Sequence, residues 1–251
     1  MARLQDKKTL ITGGESGIGL ATARRFVAEG ATVFLVGLDE GLLKAAVTEL
    51  GSSAAYSVAD VTDEAAVETA LESAVDRFGT LDVLFSNAGI SGAVSGVTDY
   101  PSDVFSRTLA VHITGAFHVI KHGLPPSFIR GSIVITSSVV GLIGFGGLCG
   151  YIAAKHGQVG LMRAVATEVA PRRIRVNTLH PGPTSTAFQD EIEMAATGLP
   201  RDEAAAVFDE LLPLGRHADT DEIAAAALYL ASDESAFITR TTLAVDGGLA
   251  G

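Results

Sequence analysis

Short, β-branched apolar runs alternate with longer amphipathic stretches from one end of this chain to the other. Residues 9–12, 31–36, 54–58, 81–86, 131–136, 175–179 and 241–245 predict strands. Between them, residues 17–29, 42–50, 63–78, 100–122, 151–170 and 221–230 predict helices, and Pro171 closes the fifth. A strand that leads into a helix and then another strand must cross over. That makes the sheet parallel and puts helices on both of its faces. The expected fold class is therefore α/β, one doubly wound domain over residues 1–251, because no linker, charge run or repeat divides the chain. A ligand of such a domain binds beyond the carboxyl ends of the strands, at the switch point. Residues 186–215 are polar and only partly helical, and 185–214 are expected to form a mobile substrate lid.

Composition narrows the function. Hydrophobic residues are 47% and charged residues 19%, enough for a sizeable core. The formal net charge of −11 argues against non-specific binding to nucleic acid. A single cysteine, Cys149, permits no intrachain disulfide and fits a reducing compartment. Residues 1–8 carry charges and no apolar segment of signal-peptide type. No uncharged apolar run reaches the roughly 18 residues of a membrane span. A soluble, cytoplasmic protein is the expectation, with no membrane partner. One Cys and six His at no ligand spacing argue against a metal centre, zinc included.

The first strand runs into Thr12-Gly13-Gly14-Glu15-Ser16-Gly17-Ile18-Gly19 and then a helix. Gly13, Gly17 and Gly19 allow a tight turn, so that a pyrophosphate can approach the free N–H groups of the helix start beside Ser16 and Ile18. Alone, a glycine triplet is an ordinary turn; its position between first strand and first helix makes it a nucleotide site.

Tyr151 and Lys155 lie four residues apart on a predicted helix and so share one face. An ammonium beside a phenol is expected to lower the phenol's pKa, which suits a group that exchanges a proton with a carbonyl or alcohol oxygen. Ser138, at the end of the fifth strand, could bond the same oxygen. Without that serine and the glycine turn, the pair would read as a solvated helix pair.

Together these residues resemble the short-chain dehydrogenase/reductase family over the whole chain. The likeness is carried by the glycine turn, Asn87-Ala88-Gly89, Ser138 with Tyr151 and Lys155, Pro181-Gly182, and Val245-Asp246-Gly247-Gly248. It implies a Rossmann-type sheet in the order 3-2-1-4-5-6-7, an NAD(P) cofactor and a homo-oligomer, tetramer or dimer. It also implies cofactor contacts from Asp60-Val61 after the third strand and from Thr184 and Thr186 beyond Pro181-Gly182. One position departs. Where the family commonly has an asparagine that helps hold a relay water, this chain has His112. Histidine can donate and accept, so His112 either replaces that asparagine or is a packing residue.

The ribose-reading residues should end the second strand. The family's NAD-type aspartate would fall at 37, which is Gly, and its NADP-type arginine at 38, which is Leu. Ser16 stands where many NADP enzymes carry a cation. Asp39 and Glu15 would repel a 2′-phosphate, so NAD is expected over NADP, with Asp39 either a displaced ribose reader or a helix N-cap.

The expected substrate pocket comprises Val140, Leu148, Cys149 and Phe188, with Cys149 an inert wall. These are apolar, so the expected substrate is a small hydrophobic ketone or secondary alcohol. An acyl-carrier ketoreductase is the alternative, with only Arg130, Arg172 and Arg173 as a basic docking patch. A non-catalytic nucleotide-binding regulator on the same fold is the other, and the intact Ser138, Tyr151 and Lys155 argue against it.

Overall fold

Each central strand buries both of its faces, and that decides the architecture. Val33 and Leu35 point into one apolar cluster, Phe34 and Val36 into another; Ile11 and Leu10, Val134 and Ile133 divide in the same way. Alternate residues of one strand thus feed two cores, which only a sheet sandwiched between helix layers provides. Each such Leu, Ile or Phe, fully buried, contributes about 1.5–3 kcal/mol.

The computed structural model describes residues 2–125, 128 and 130–251. Its strands are β1 (Lys8–Thr12), β2 (Thr32–Gly37), β3 (Ala54–Val58), β4 (Val83–Ser86), β5 (Ser132–Thr136), β6 (Arg175–Pro181) and β7 (Thr242–Val245). They form one sheet in the order β3-β2-β1-β4-β5-β6-β7, with every neighbouring pair parallel. The helices are α1 (Gly17–Ala28), α2 (Glu40–Leu50), α3 (Glu64–Phe78), α4 (Ser102–Leu109), α5 (Gly115–Gly123), α6 (Cys149–Val169), α7 (Ala187–Thr197), α8 (Arg201–Asp209) and α9 (Thr220–Ala231). Residues of α1, α2 and α9 pack on one face of the sheet; residues of α3, α5 and α6 pack on the other. The chain reverses its winding between β1 and β4, which opens the crevice at the carboxyl ends of those strands.

One segment differs from the sequence expectation. The helix expected over 100–122 is divided: α4 ends at Leu109, a π-helical turn covers Ala110–Thr114, and α5 follows. The wider turn carries His112, which is 1% exposed. Such turns are rare and re-aim side chains, so a continuous apolar pattern cannot announce one. Residues 186–215 hold two well-formed helices, α7 and α8, each preceded by a polar or proline N-cap, Thr186 and Pro200. Among the described residues no helix is long and apolar enough to cross a membrane.

Candidate active site

The glycine turn closes on itself. Gly13 and Gly17 adopt φ of +62° and +50°. A Cβ on Gly19 would lie 1.9 Å from the Gly13 carbonyl oxygen, so any side chain there would force the turn open. Asn87 braces the same turn. Its Nδ2 donates to the carbonyls of Thr12 and Gly13 at 3.2 and 3.3 Å, and its Oδ1 accepts from Thr136 Oγ1 at 3.0 Å. Thr12 Oγ1 in turn accepts the N–H groups of Asn87 and Ala88 at 2.9 and 3.0 Å. The ends of β1, β4 and β5 are tied into one rim. Ser16 is the N-cap of α1, is exposed, and makes no capping bond with its side chain. Anion-seeking N–H groups at the start of α1 therefore face the crevice.

The crevice is a cleft of about 260 Å³. It gathers Gly13, Ser16, Gly17, Ile18, Leu38, Asp60, Val61, Asn87, Ala88, Gly89, His112, Ser138, Tyr151, Lys155, Pro181, Gly182, Thr184, Thr186 and Phe188 along one wall or another. Five expected site residues are not part of its lining. Gly19 sits behind the turn. Asp39 is the N-cap of α2, its Oδ1 accepting the Leu42 N–H at 2.9 Å, so of its two sequence readings the structure has the cap. Val140 is buried in an apolar cluster with Tyr151, against which Phe188 packs. Leu148 is the N-cap residue of α6, and Cys149, half-buried with a free thiol, is its first residue.

Tyr151 stands in the first turn of α6, with Lys155 one turn further on. The Lys155 Nζ donates to the Thr136 carbonyl at 2.8 Å and lies 5.3 Å from the Tyr151 ring centroid. The sequence expectation of a lowered phenol pKa is corrected here. Burial pushes the Tyr151 phenol up, and the Ser138 hydroxyl pulls only partly the other way. The ammonium lies over the ring face and is spoken for by Thr136, while the phenol, 7% exposed, is largely out of water. Burial also brings the Lys155 ammonium down to about 7. A base so poised changes charge near neutrality.

His112 packs edge-on against the Tyr151 ring, with centroids 5.3 Å apart. Its Nε2 meets the Ile90 backbone, N–H at 3.2 Å and carbonyl at 2.8 Å, while Nδ1 is buried without a partner. Burial, and then the Lys155 charge, hold the imidazole well below its ordinary pKa. It is a neutral ring at working pH. Its own carbonyl accepts from Gln158 Nε2 at 3.0 Å.

Several contributors escaped the sequence. His180 is fully buried and its Nδ1 donates to the Ser138 carbonyl at 2.6 Å, fixing the strand end that carries the serine. Burial lowers His180 to about 4, so it remains neutral. Leu249 and Ala250, beyond the last motif, pack on the Tyr151 cluster because Asp246 accepts the N–H groups of Gly248 and Ala250 and folds the tail back. Gln189 on α7 and Arg107 on α4 also line the cleft. No local pattern marks any of these; they arrive by tertiary folding.

A histidine clamp holds the α7–α8 segment. His217 Nδ1 pairs with Asp209 of α8, and its Nε2 with Glu193 of α7, both at 2.7 Å. Burial opposes its charge, but the hydrogen bonds to Asp209 and Glu193 outweigh it and raise the pKa. A raised pKa stabilises the fold fully below the unfolded value of about 6.5 and loses that contribution as pH rises through the folded value. His217→Ala is therefore expected to lower the melting temperature most near pH 6 and progressively less above it. Melting curves across pH check this; a pH-independent difference would leave only packing.

A family model described as enoyl-(acyl carrier protein) reductase matches residues 13–250. Levodione reductase of Leifsonia aquatica is 39% identical over 254 residues, covering 98% of this chain and 95% of that protein. The crystal structure of levodione reductase superposes with a TM-score of 0.94 at 36% identity, covering 99% of each chain. Trans-4-hydroxycyclohexanecarboxylate dehydrogenase of Sinomonas cyclohexanicum is 40% identical over 256 residues, covering 98% of this chain and 93% of that protein. Carveol dehydrogenase from Mycobacterium avium, in complex with NAD, gives a TM-score of 0.93 at 30% identity, covering 99% of each chain. With its glycine turn, its Ser138, Tyr151 and Lys155 on one cleft, and these likenesses along its whole length, the chain belongs to the short-chain dehydrogenase/reductase family and is an oxidoreductase.

Proposed function

We propose that this oxidoreductase interconverts apolar, cyclic ketones and secondary alcohols, prefers NAD(H), and uses Tyr151 as its general acid and base. The observation that carries the reading is the convergence of Tyr151, Ser138 and Lys155 on one cleft that the glycine turn also lines. A dinucleotide fits that cleft on two grounds. The closed turn leaves free N–H groups at the start of α1, and a buried oxygen of Glu15 lacks any donor. Gly13, Ser16, Gly17 and Ile18 would hold the pyrophosphate, Asp60 and Val61 the adenine, and Asn87, Ala88 and Gly89 would line the cleft beside them. Pro181, Gly182, Thr184 and Thr186 would hold the nicotinamide end. When bound, the nicotinamide supplies or takes the hydride.

The chain's own residues do the rest. The Tyr151 hydroxyl gives its proton to the ketone oxygen as the carbonyl becomes an alcohol, and takes it back in the reverse direction. Ser138 donates a hydrogen bond to that oxygen and so stabilises the charge that gathers on it. Lys155 lies close enough to favour the tyrosinate once Tyr151 has lost its proton. Apolar side chains surround Tyr151: Phe188 lines the cleft, and Val140, Ile143 and Leu249 share the cluster outside its lining. Among the described residues, the cations on the cleft lining are Lys155 and Arg107, the latter paired with Asp60 at 3.7 Å. An uncharged carbocyclic substrate suits these walls better than a keto acid. Relatives named for levodione and for cyclohexanol support the same class.

Steady-state rates for substituted cyclohexanones and for short keto acids, each with NADH and NADPH, test the reading. The largest kcat/KM should come from NADH with a cyclohexanone. Turnover confined to keto acids, or to NADPH, would overturn it.

A further inference from the structure

Gly37 closes β2 at the point where the family's NAD-type aspartate would fall. The space is not empty. A Cβ built on Gly37 would lie 2.2 Å from Oε2 and 2.3 Å from Oε1 of Glu15. The Glu15 carboxylate, reaching across from the glycine turn, fills the place a side chain at 37 would take. Its Oε1 accepts the Leu38 N–H at 3.1 Å. Its Oε2 is buried and has no hydrogen-bond partner. A buried carboxylate oxygen without a donor is costly, and protein sites that contain one generally satisfy it with a ligand or water. Glu15, Gly37 and Leu38 line the cleft beside Ala59 and Asp60, whereas Asp39 is turned away to cap α2.

We infer that Glu15, and not Asp39, is the carboxylate that reads the adenosine ribose, transferred in this chain from the strand end to the glycine turn. The vicinal ribose hydroxyls supply the donors that Glu15 lacks. A 2′-phosphate in their place meets a fixed negative charge, and Leu38 offers it no cation. The exchange also explains why position 37 is glycine: any larger residue would collide with the carboxylate. The inference rests on the dinucleotide site proposed above and says which residue sets its selectivity.

Binary complexes test it without any turnover. NADH and NADPH are titrated into the protein by nucleotide fluorescence and calorimetry; the chain has no Trp to interfere with the former. The unmodified protein should bind NADH at least about tenfold more tightly than NADPH. Glu15→Ala should bring the two affinities to within about threefold. Glu15→Gln keeps the acceptor for Leu38 and the packing, and should tighten NADPH binding by removing the charge. Glu15→Ser combined with Gly37→Asp should restore the NADH preference, because the smaller residue at 15 clears the space for a carboxylate at 37. An unchanged ratio in both Glu15→Ala and Glu15→Gln, or a ratio that collapses in Asp39→Ala instead, overturns the inference. If the unmodified protein binds NADPH more tightly, or binds neither nucleotide, the cofactor reading itself fails before any variant is made.

Discussion

Tyr151→Phe is expected to lower turnover by at least about 100-fold in both directions while leaving NADH affinity close to that of the unmodified protein. The substitution removes one oxygen and keeps the ring. The ring's neighbours, His112 at 5.3 Å and Phe188 at 6.0 Å between centroids, stay in contact. Its burial argues that the fold does not suffer: a phenol taken out of water gains little from its oxygen when Ser138 is the one side chain acting on it. Melting should therefore be unchanged or slightly higher. Turnover, nucleotide titration and melting curves on one preparation separate the outcomes. A phenylalanine variant with near-normal kcat removes Tyr151 from the mechanism, and one that melts early shows only a damaged fold.

Lys155→Met is expected to cut turnover by a similar factor and to move the pH dependence of alcohol oxidation upward, because no ammonium can then form beside a tyrosinate. Stability should go the other way with pH. Burial lowers Lys155 to about 7, far below the unfolded value of about 10.4. The unfolded chain thus binds a proton that the folded chain resists, and the native state is penalised increasingly as pH falls from about 10 towards 7. Methionine carries no such proton. The loss of the bond to the Thr136 carbonyl is a fixed cost, but the difference in melting temperature between variant and parent should shift in the variant's favour as pH drops through that window. A difference that is flat across pH would show that Lys155 is not held as a depressed base. Unchanged oxidation kinetics would show that it does not act on Tyr151.

The sheet was legible because strands buried on both faces must be apolar at successive positions, which leaves short continuous apolar runs in the sequence. Val33, Phe34, Leu35 and Val36 could face two cores only as a central strand. The glycine turn and the Tyr151/Lys155 pair were legible for a similar reason: their geometry is local, fixed by neighbours in the chain. What stayed hidden is what folding brings from afar. The π-helical turn at Ala110–Thr114 lies inside a continuous helical pattern. Glu15 and Gly37 are complementary across two elements, so each looks like an isolated oddity in the sequence. His180 reads as a strand residue until its bond to Ser138 is seen. The pKa expectation for Tyr151 failed because spacing along a helix gives proximity but not burial, and burial dominates here.

The account stands or falls on hydride transfer to a carbonyl carbon. NADH carrying deuterium at the transferable position of its nicotinamide, incubated with the protein and a cyclohexanone, followed by mass spectrometry of the product, measures it directly. The account predicts an alcohol with one deuterium on the carbinol carbon, formed at least about 100-fold faster by the unmodified protein than by Tyr151→Phe. A product without label, or labelled product from the phenylalanine variant at the parent's rate, would contradict it.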